Sequence, residues 1–351
     1  MKIGVALSGG KDSSLVAALL VQEGHQVEGY HLLLCPDEYS SSPIEDQLTT
    51  IRHLCDRLDI RLNVIDARID FQRRIMDTLV SSYREGKTPN PCVLCNRLFK
   101  FGLLLDTARQ DACDLVASGH YARVTRNQHL QLKRPIDPGR DESYFLFDLN
   151  PEQLSFLNFP LGELMLDEIK ILLEDLLPEF EPLAVSQEAC FLSRSGLKRF
   201  LDDKLIQQDC PGDIVDLTGR KLGEHPGYHY YTVGQRKGLS SASGKKGPLY
   251  VLRIIPETNQ VVVGDREDLT SNRLLAVRPN WLSIPPPNKP IRVKAKIRYA
   301  HPEAEAIVTP IPEEQLLVEF LSPQEAPTPG QAVVFYRDDI LLGGAWIEEV
   351  F

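Results

Sequence analysis

The chain has 351 residues, 42% of them hydrophobic and 25% charged, with a net charge of −10 at neutral pH; that length exceeds one ordinary core and predicts two or three domains. The acidic balance argues against bulk electrostatic binding of nucleic acid and leaves room for a local basic face. No apolar run approaches the roughly 18 residues of a membrane span, and seven cysteines behind a strand-like start predict a reducing cytoplasm, not a disulfide framework.

Over the first 120 residues, strand and helix patterns alternate. "KIGVAL" (2–7) predicts a strand, and 13–23 a helix with Leu15, Ala18 and Leu19 on one face and Gly24 as its stop. "QVEGYHLLL" (26–34) is the next strand, followed by an amphipathic helix at 43–58, the strand "RLNVID" (61–66) and a helix at 70–84. A Pro-rich loop, "TPNPCVLCN" (88–96), precedes a helix at about 97–109 and the strand "DLVAS" (114–118). Such alternation implies a parallel sheet covered by helices on both sides.

From about residue 200 the runs become short and β-like, punctuated by Gly, Pro and Asn, with "SIPPPNKP" (283–290) as a linker or tight corner. The expected fold is α/β: an N-terminal parallel-sheet domain (1–200), a small mixed central domain (201–275) and a C-terminal β-barrel or sandwich (276–351). In "RVKAKIR" (292–298), Arg292, Lys294, Lys296 and Arg298 share one strand face by period two. That face is either a solvated edge or an RNA contact.

The first strand runs into "SGGKDSS" (8–14), which opens a helix. Two glycines permit a tight turn, and the N–H groups of the helix start then converge on one spot, a built-in anion site. Ser8 and Ser13 add hydroxyls and Lys11 a charge; Asp12 calls for a bridging Mg²⁺ or for donors that orient it. The spacing matches neither GxxxxGK[ST] nor GxGxxG. It resembles the pyrophosphatase-type loop (PP-loop) of enzymes that split ATP between the α and β phosphates.

Four further stretches, "TPNPCVLCNRLFKFG" (88–102), "ASGHYAR" (117–123), "DESYFLFDLNPEQLSFLNFPLGEL" (141–164) and "GEHPGYHYYTVGQRKGL" (223–239), together with "IRYAHPEAEA" and "PGQAVVFY", resemble the tRNA-specific 2-thiouridylase family (MnmA type) from residue 2 to the end. That resemblance implies adenylation of O2 of a wobble uridine, followed by replacement of the oxygen with sulfur. It implies that Ala6, Leu7, Ser8, Gly9, Gly10, Lys11, Asp12 and Ser13 hold the phosphates of ATP, with Leu32 and Gly119 lining the adenosine. Gly119 also lies just past a strand's C-terminal end, where parallel sheets bind ligands. By the same resemblance Asn90, Pro91 and Cys92 meet the target base, and Arg140, Asp141, Glu142, Arg298 and Tyr299 contact tRNA.

Cys95 matches the family's first catalytic cysteine, and a helix start with Arg97 and Lys100 nearby favours its thiolate. Cys190 matches the persulfide carrier, although Glu188-Ala189 stands where the family commonly has Gly-Ile. Cys35, Cys55 and Cys113 read as core residues, and Cys210 has no assignment. Where this chain has Cys92 the family often has Asp. Two readings follow: Cys92 is a bystander while Cys95 resolves the Cys190 persulfide through a disulfide, or Cys92, Cys95 and Cys190 hold a [4Fe–4S] cluster. His120 is open between a structural and a catalytic role.

The implied partners are tRNA and a persulfide donor or relay protein, with no membrane. Two readings of other classes use the same loop: an ATP-dependent amide- or C–N-forming ligase, which thiol modification would leave active, and a catalytically silent tRNA-binding protein, which tRNA-dependent pyrophosphate release would dismiss.

Overall fold

The computed structural model describes residues 1–40, 42–126, 129–178, 190–192, 196–205, 211–239 and 248–351. Strand β1 (Lys2–Ala6) lies at the centre of a parallel sheet, between β2 (Gln26–Leu33) and β4 (Leu115–Ala117). Beyond β2 comes β3 (Arg61–Asp66), and beyond β4 the short strand Leu157–Asn158. The order therefore reverses between β1 and β4, and an open α/β sheet binds ligands at the carboxyl ends of such a pair.

Helices cover both faces of the sheet. Ile3 and Val5 of β1 pack with Leu15 and Val16 of α1 (Lys11–Gln22) and with Ile51 and Leu54 of α2 (Ile44–Leu58). On the other face, Tyr30 packs with Phe101, Leu104 and Ala108. β1 and β2 are buried in continuous runs, as strands covered on both faces require.

The segment expected as loop plus late helix differs. The helix begins at Pro91 and runs without interruption to Gln110, so Cys92 and Cys95 lie inside it. Pro91 occupies the first helical position, where its missing N–H costs nothing and its fixed φ suits the helix. The middle of this helix, Asn96–Leu103, is a π-helix. Gly102 allows it: a Cβ there would lie 2.8 Å from the Arg97 carbonyl oxygen. Gln153 supports it, donating from Nε2 to the carbonyls of Arg97 (2.8 Å) and Phe101 (2.7 Å).

A four-stranded central sheet joins Tyr250–Ile255, Gln260–Gly264, Gly212–Val215 and Lys221–His225 in that order, with one parallel pairing. The C-terminal part is a closed antiparallel barrel of six strands, sealed where Thr270–Trp281 pairs with Ile340–Val350. "SIPPPNKP" forms a corner within the barrel, between Thr270–Trp281 and Ile291–Lys296. A hairpin from the N-terminal part (Arg123–Thr125 and Gln131–Lys133) extends the barrel sheet against Ile340 and Leu341. Phe147 and Trp346 meet edge to face at 5.5 Å across the same junction.

Candidate active site

After β1 the chain turns at Gly9, whose φ of +80° favours glycine. The Ser8 N–H and hydroxyl both reach the Ser13 hydroxyl at 3.2 Å, and Ser13 Oγ donates to the Gly10 carbonyl at 3.0 Å. These bonds fold the loop over the start of α1, where no side chain caps the helix. The first-turn N–H groups therefore remain available for an anion, as phosphate requires.

Asp12 is oriented by two donors. Lys11 Nζ lies 2.6 Å and the Tyr121 hydroxyl 2.8 Å from Oδ1. Oδ2 has no hydrogen bond among the described residues. Gly119 closes β4 onto this loop, because a Cβ there would lie 2.8 Å from the Ser13 amide nitrogen and 2.9 Å from the Asp12 carbonyl carbon. Leu32 is half-buried at the end of β2, packed against the clusters on the helix 91–110 side.

Tyr121 links the loop to the 140–143 segment. Its N–H donates to Glu142 Oε2 at 3.0 Å, and its carbonyl accepts from the Glu142 N–H at 3.0 Å. Burial raises the Glu142 carboxyl above its ordinary range, opposed by the Tyr121 N–H and by the charges of Lys100 and Arg140. Arg140 lies over the Tyr121 ring at 5.7 Å.

Cys35, Cys92 and Cys95 each interact electrostatically with Cys190, and Lys100 acts on Cys92, Cys95 and Cys190. Cys35 and Cys95 share an apolar cluster with Phe191, and Phe191 packs on Phe71 at 5.6 Å and Phe200 at 5.5 Å. Burial lifts all four thiols, Cys92 to about 11 and Cys35 to about 12, and Lys100 pulls Cys92, Cys95 and Cys190 back. Cys190 nonetheless exposes surface to solvent, so a reagent reaches it more readily than the buried Cys95.

In an α-helix residue 99 would lie one turn beyond Cys95; the wider i→i+5 turn swings residue 100 towards that place. The π segment thus brings the Lys100 charge to the thiol side. Arg97 does not take the expected part: its guanidinium binds Asp148 at 3.0 Å. Nor does Cys95 gain from a helix start, since it sits in the second turn and Cys92 takes the first.

Cys35 thus joins the thiol group instead of serving only as core, whereas Cys55 and Cys113 are buried in the sheet's flanking clusters. Cys210 and Glu188-Ala189 lie outside the described residues. His120 is enclosed by Phe101 and Phe159, with Nδ1 2.9 Å from Ser118 Oγ. Burial, and secondarily Lys100, holds its imidazole neutral.

Asn90 is buried and its side chain meets the Tyr144 hydroxyl. The preceding residues are gripped from the barrel: Thr88 N–H donates to Pro329 O at 2.9 Å, and Gln331 Nε2 donates to Thr88 O at 2.8 Å. Gln331, Tyr121 and Gln153 were not singled out by sequence reasoning. Each acts over a long chain separation that no local pattern records.

The strand Ile291–Lys296 buries Val293 and Ala295 and turns its cations outward. Arg292 pairs with Glu305 at 3.0 Å and Lys294 with Glu303 at 2.9 Å, while Arg298 donates to the Glu325 carbonyl at 2.9 Å. Tyr299 is 40% exposed. Among the described residues no three-ligand group of His, Cys, Asp or Glu is placed to hold a metal ion, and no helix is long and apolar enough to cross a membrane.

A parallel sheet with an anion loop at its switch point, and thiols gathered beside it, defines a nucleotide-dependent class of α/β protein. Family models match almost the whole chain: a tRNA methyl transferase HUP domain over residues 1–194, a tRNA methyl transferase PRC-barrel domain over 198–265 and an aminomethyltransferase beta-barrel domain over 271–347. The tRNA-specific 2-thiouridylase MnmA of a Synechococcus strain is 44% identical, with 99% of this chain and 94% of that protein covered. Those of Rippkaea orientalis and Moorella thermoacetica are 40% and 41% identical, each with 99% of both chains covered. The chain belongs to the tRNA-specific 2-thiouridylase family. A solved structure, the U34-tRNA thiolase NcsA from Methanococcus maripaludis with its [4Fe-4S] cluster, covers 66% of this chain and 68% of its own at 20% identity and a TM-score of 0.36, too low to bear on this chain.

Proposed function

We propose that the protein is an ATP-dependent tRNA-uridine 2-sulfurtransferase acting on an extruded wobble uridine. The observation that carries this reading is the adjacency of the two half-sites. Tyr121 joins Asp12 of the phosphate loop to Glu142, and Glu142 interacts in turn with Lys100 and Cys92 of the thiol group.

Ala6 to Ser13 would cradle the triphosphate, with Leu32 and Gly119 beside the adenosine. The free Oδ2 of Asp12 fits a Mg²⁺ ion held mainly by phosphate oxygens and water. Uridine O2 attacks the α-phosphorus and pyrophosphate leaves, which turns a poor leaving group into AMP. The terminal sulfur of a Cys190 persulfide then bonds to C2 and AMP departs. Cys95 thiolate attacks the Cys190 sulfur, breaks the S–S bond and releases the thiolated base, leaving a Cys95–Cys190 disulfide for an external thiol to reduce.

Asn90, Pro91 and Cys92 would flank the base, and Arg140, Asp141, Glu142, Arg298 and Tyr299 would meet the tRNA. Residues 1–200, 201–275 and 276–351 would serve as catalytic, central tRNA-binding and barrel units. A cytoplasmic persulfide donor or relay protein would load Cys190.

Mass spectrometry of nucleosides from tRNA incubated with the protein, ATP and a persulfide donor tests this. 2-Thiouridine that forms only with ATP is expected; pyrophosphate release that ignores tRNA would overturn it. Iron analysis of protein purified without oxygen separates the two sulfur routes. Full activity in iron-free protein is expected, whereas about four irons per chain, lost together with activity in Cys92→Ser, would put a [4Fe–4S] cluster in place of the disulfide.

A further inference from the structure

Lys100 lies between the two half-sites. Its neighbour Phe101 is buried and packs on the His120 ring at 5.3 Å. His120 follows Gly119, which rests against Asp12 and Ser13 of the phosphate loop. On the other side, Lys100 is one wide turn beyond Cys95 in the π segment and acts on Cys92, Cys95 and Cys190. Glu142, bonded to Tyr121 beside Asp12, feels the same charge.

The ammonium has no fixed partner. Lys100 is half-buried, and among the described residues it forms no hydrogen bond and no ion pair. Other cations of this region are engaged: Lys11 pairs with Asp12 and Arg97 with Asp148. The groups around Lys100 offer it little negative charge. Burial keeps the thiols of Cys92, Cys95 and Cys190 protonated at neutral pH, holds His120 neutral and raises the Glu142 carboxyl. A partly desolvated cation facing such groups is stabilised by an incoming anion.

We propose that Lys100 holds the α-phosphate of the reacting nucleotide, first during adenylation and again as AMP leaves. The proposal rests on the sulfurtransferase reading above and gives it a further catalytic residue. When uridine O2 bonds to the α-phosphorus and the bond to pyrophosphate breaks, negative charge gathers on the α-phosphate oxygens. When sulfur bonds to C2, the C2–O2 bond breaks and its electron pair departs on the AMP oxygen. The uridine N3 proton is lost to water on adenylation and regained when the thiolated base is released; Lys100 keeps its own proton throughout. Both charges develop on the same phosphate group, between the loop and the thiols. One ammonium on a flexible stem serves both steps, and charge placed in advance lowers a barrier most where water is excluded.

Without a sulfur donor only adenylation proceeds, so single-turnover release of pyrophosphate with tRNA isolates the first step from the thiols. Lys100→Met should slow that release roughly 100-fold, with tRNA and ATP affinities within about threefold of wild type. Lys100→Arg should recover part of the rate. ATP with sulfur in place of one or the other non-bridging α oxygen gives a readout that a structural role would not move. Wild type should favour one diastereomer, and Lys100→Met should lose the preference. Release at the wild-type rate in Lys100→Met would overturn the proposal and confine Lys100 to the thiols. Slow release with the preference intact would overturn it too, as would weaker ATP binding at an unchanged rate. A wild-type protein that releases no pyrophosphate with tRNA would instead overturn the sulfurtransferase reading itself.

Discussion

Among single residues, Cys190 and Asp12 divide the reaction most cleanly. Cys190 is the most exposed thiol of the group, which suits loading by a donor protein. Cys190→Ser should bind tRNA and release pyrophosphate at the normal rate yet deliver no sulfur, and thiolation at the wild-type rate would refute the assignment. Asp12→Ala leaves Tyr121 and Lys11 without their shared acceptor at the phosphate loop. It should abolish tRNA-dependent ATP–pyrophosphate exchange with little change in tRNA affinity. Burial, opposed by Lys100, sets the pH behaviour of Cys92, Cys95 and Cys190. With Cys92 pushed up to about 11, its thiolate is scarce at neutral pH, and its alkylation should rise about tenfold per pH unit towards that value. Lys100→Met removes the cation that favours thiolates, so alkylation of Cys92, Cys95 and Cys190 at pH 8 should slow several-fold. Unchanged alkylation rates would make Lys100 a bystander.

At the level of elements, the middle of the helix Pro91–Gln110 is widened, and Lys100 within it acts on Cys92 and Cys95. Gly102 and Gln153 maintain that widening by different means, one through the space it leaves and the other through two hydrogen bonds. Gln153→Leu should cost about 1–2 kcal/mol, since two carbonyls lose their donor. If the π segment collapses towards α geometry, Lys100 moves away and thiol alkylation slows as in Lys100→Met. Thermal unfolding together with site-resolved alkylation checks this: lost stability with unaltered alkylation would show that the hydrogen bonds support the fold without shaping the site. The sheet is simpler. Its alternation of strand and helix was legible because period-two and period-3.6 burial leave direct traces in the sequence. The start of the helix at Pro91 was not, because proline both breaks helices and begins them.

Across the whole molecule, the barrel does more than extend the surface. Gln331 and Pro329 hold Thr88 from a distance of more than 200 residues in sequence, and so fix the approach to Asn90 and the thiol helix. Gln331→Ala should lower the rate of thiolation at saturating tRNA by several-fold while the barrel remains folded. Circular dichroism and single-turnover kinetics would check it, and an unchanged rate would mean that Pro329 suffices.

The sequence by itself determined the order of strands and helices, the anion loop after β1 and the residues that could act as nucleophiles. Those features are local: a glycine turn, a hydrophobic period and a thiol are each written within a few adjacent positions. Only the tertiary structure decided which groups meet. It drew Cys35 out of the core reading and into the thiol group, engaged Arg97 with Asp148 and packed His120 against two aromatic rings. It also tied up Arg292 and Lys294 with carboxylates while leaving Lys296 half-buried. Whether a charge is free or paired, and whether a thiol is desolvated, depends on partners supplied by distant segments. Burial and Coulomb interactions are properties of distance in space, which spacing along the chain does not encode.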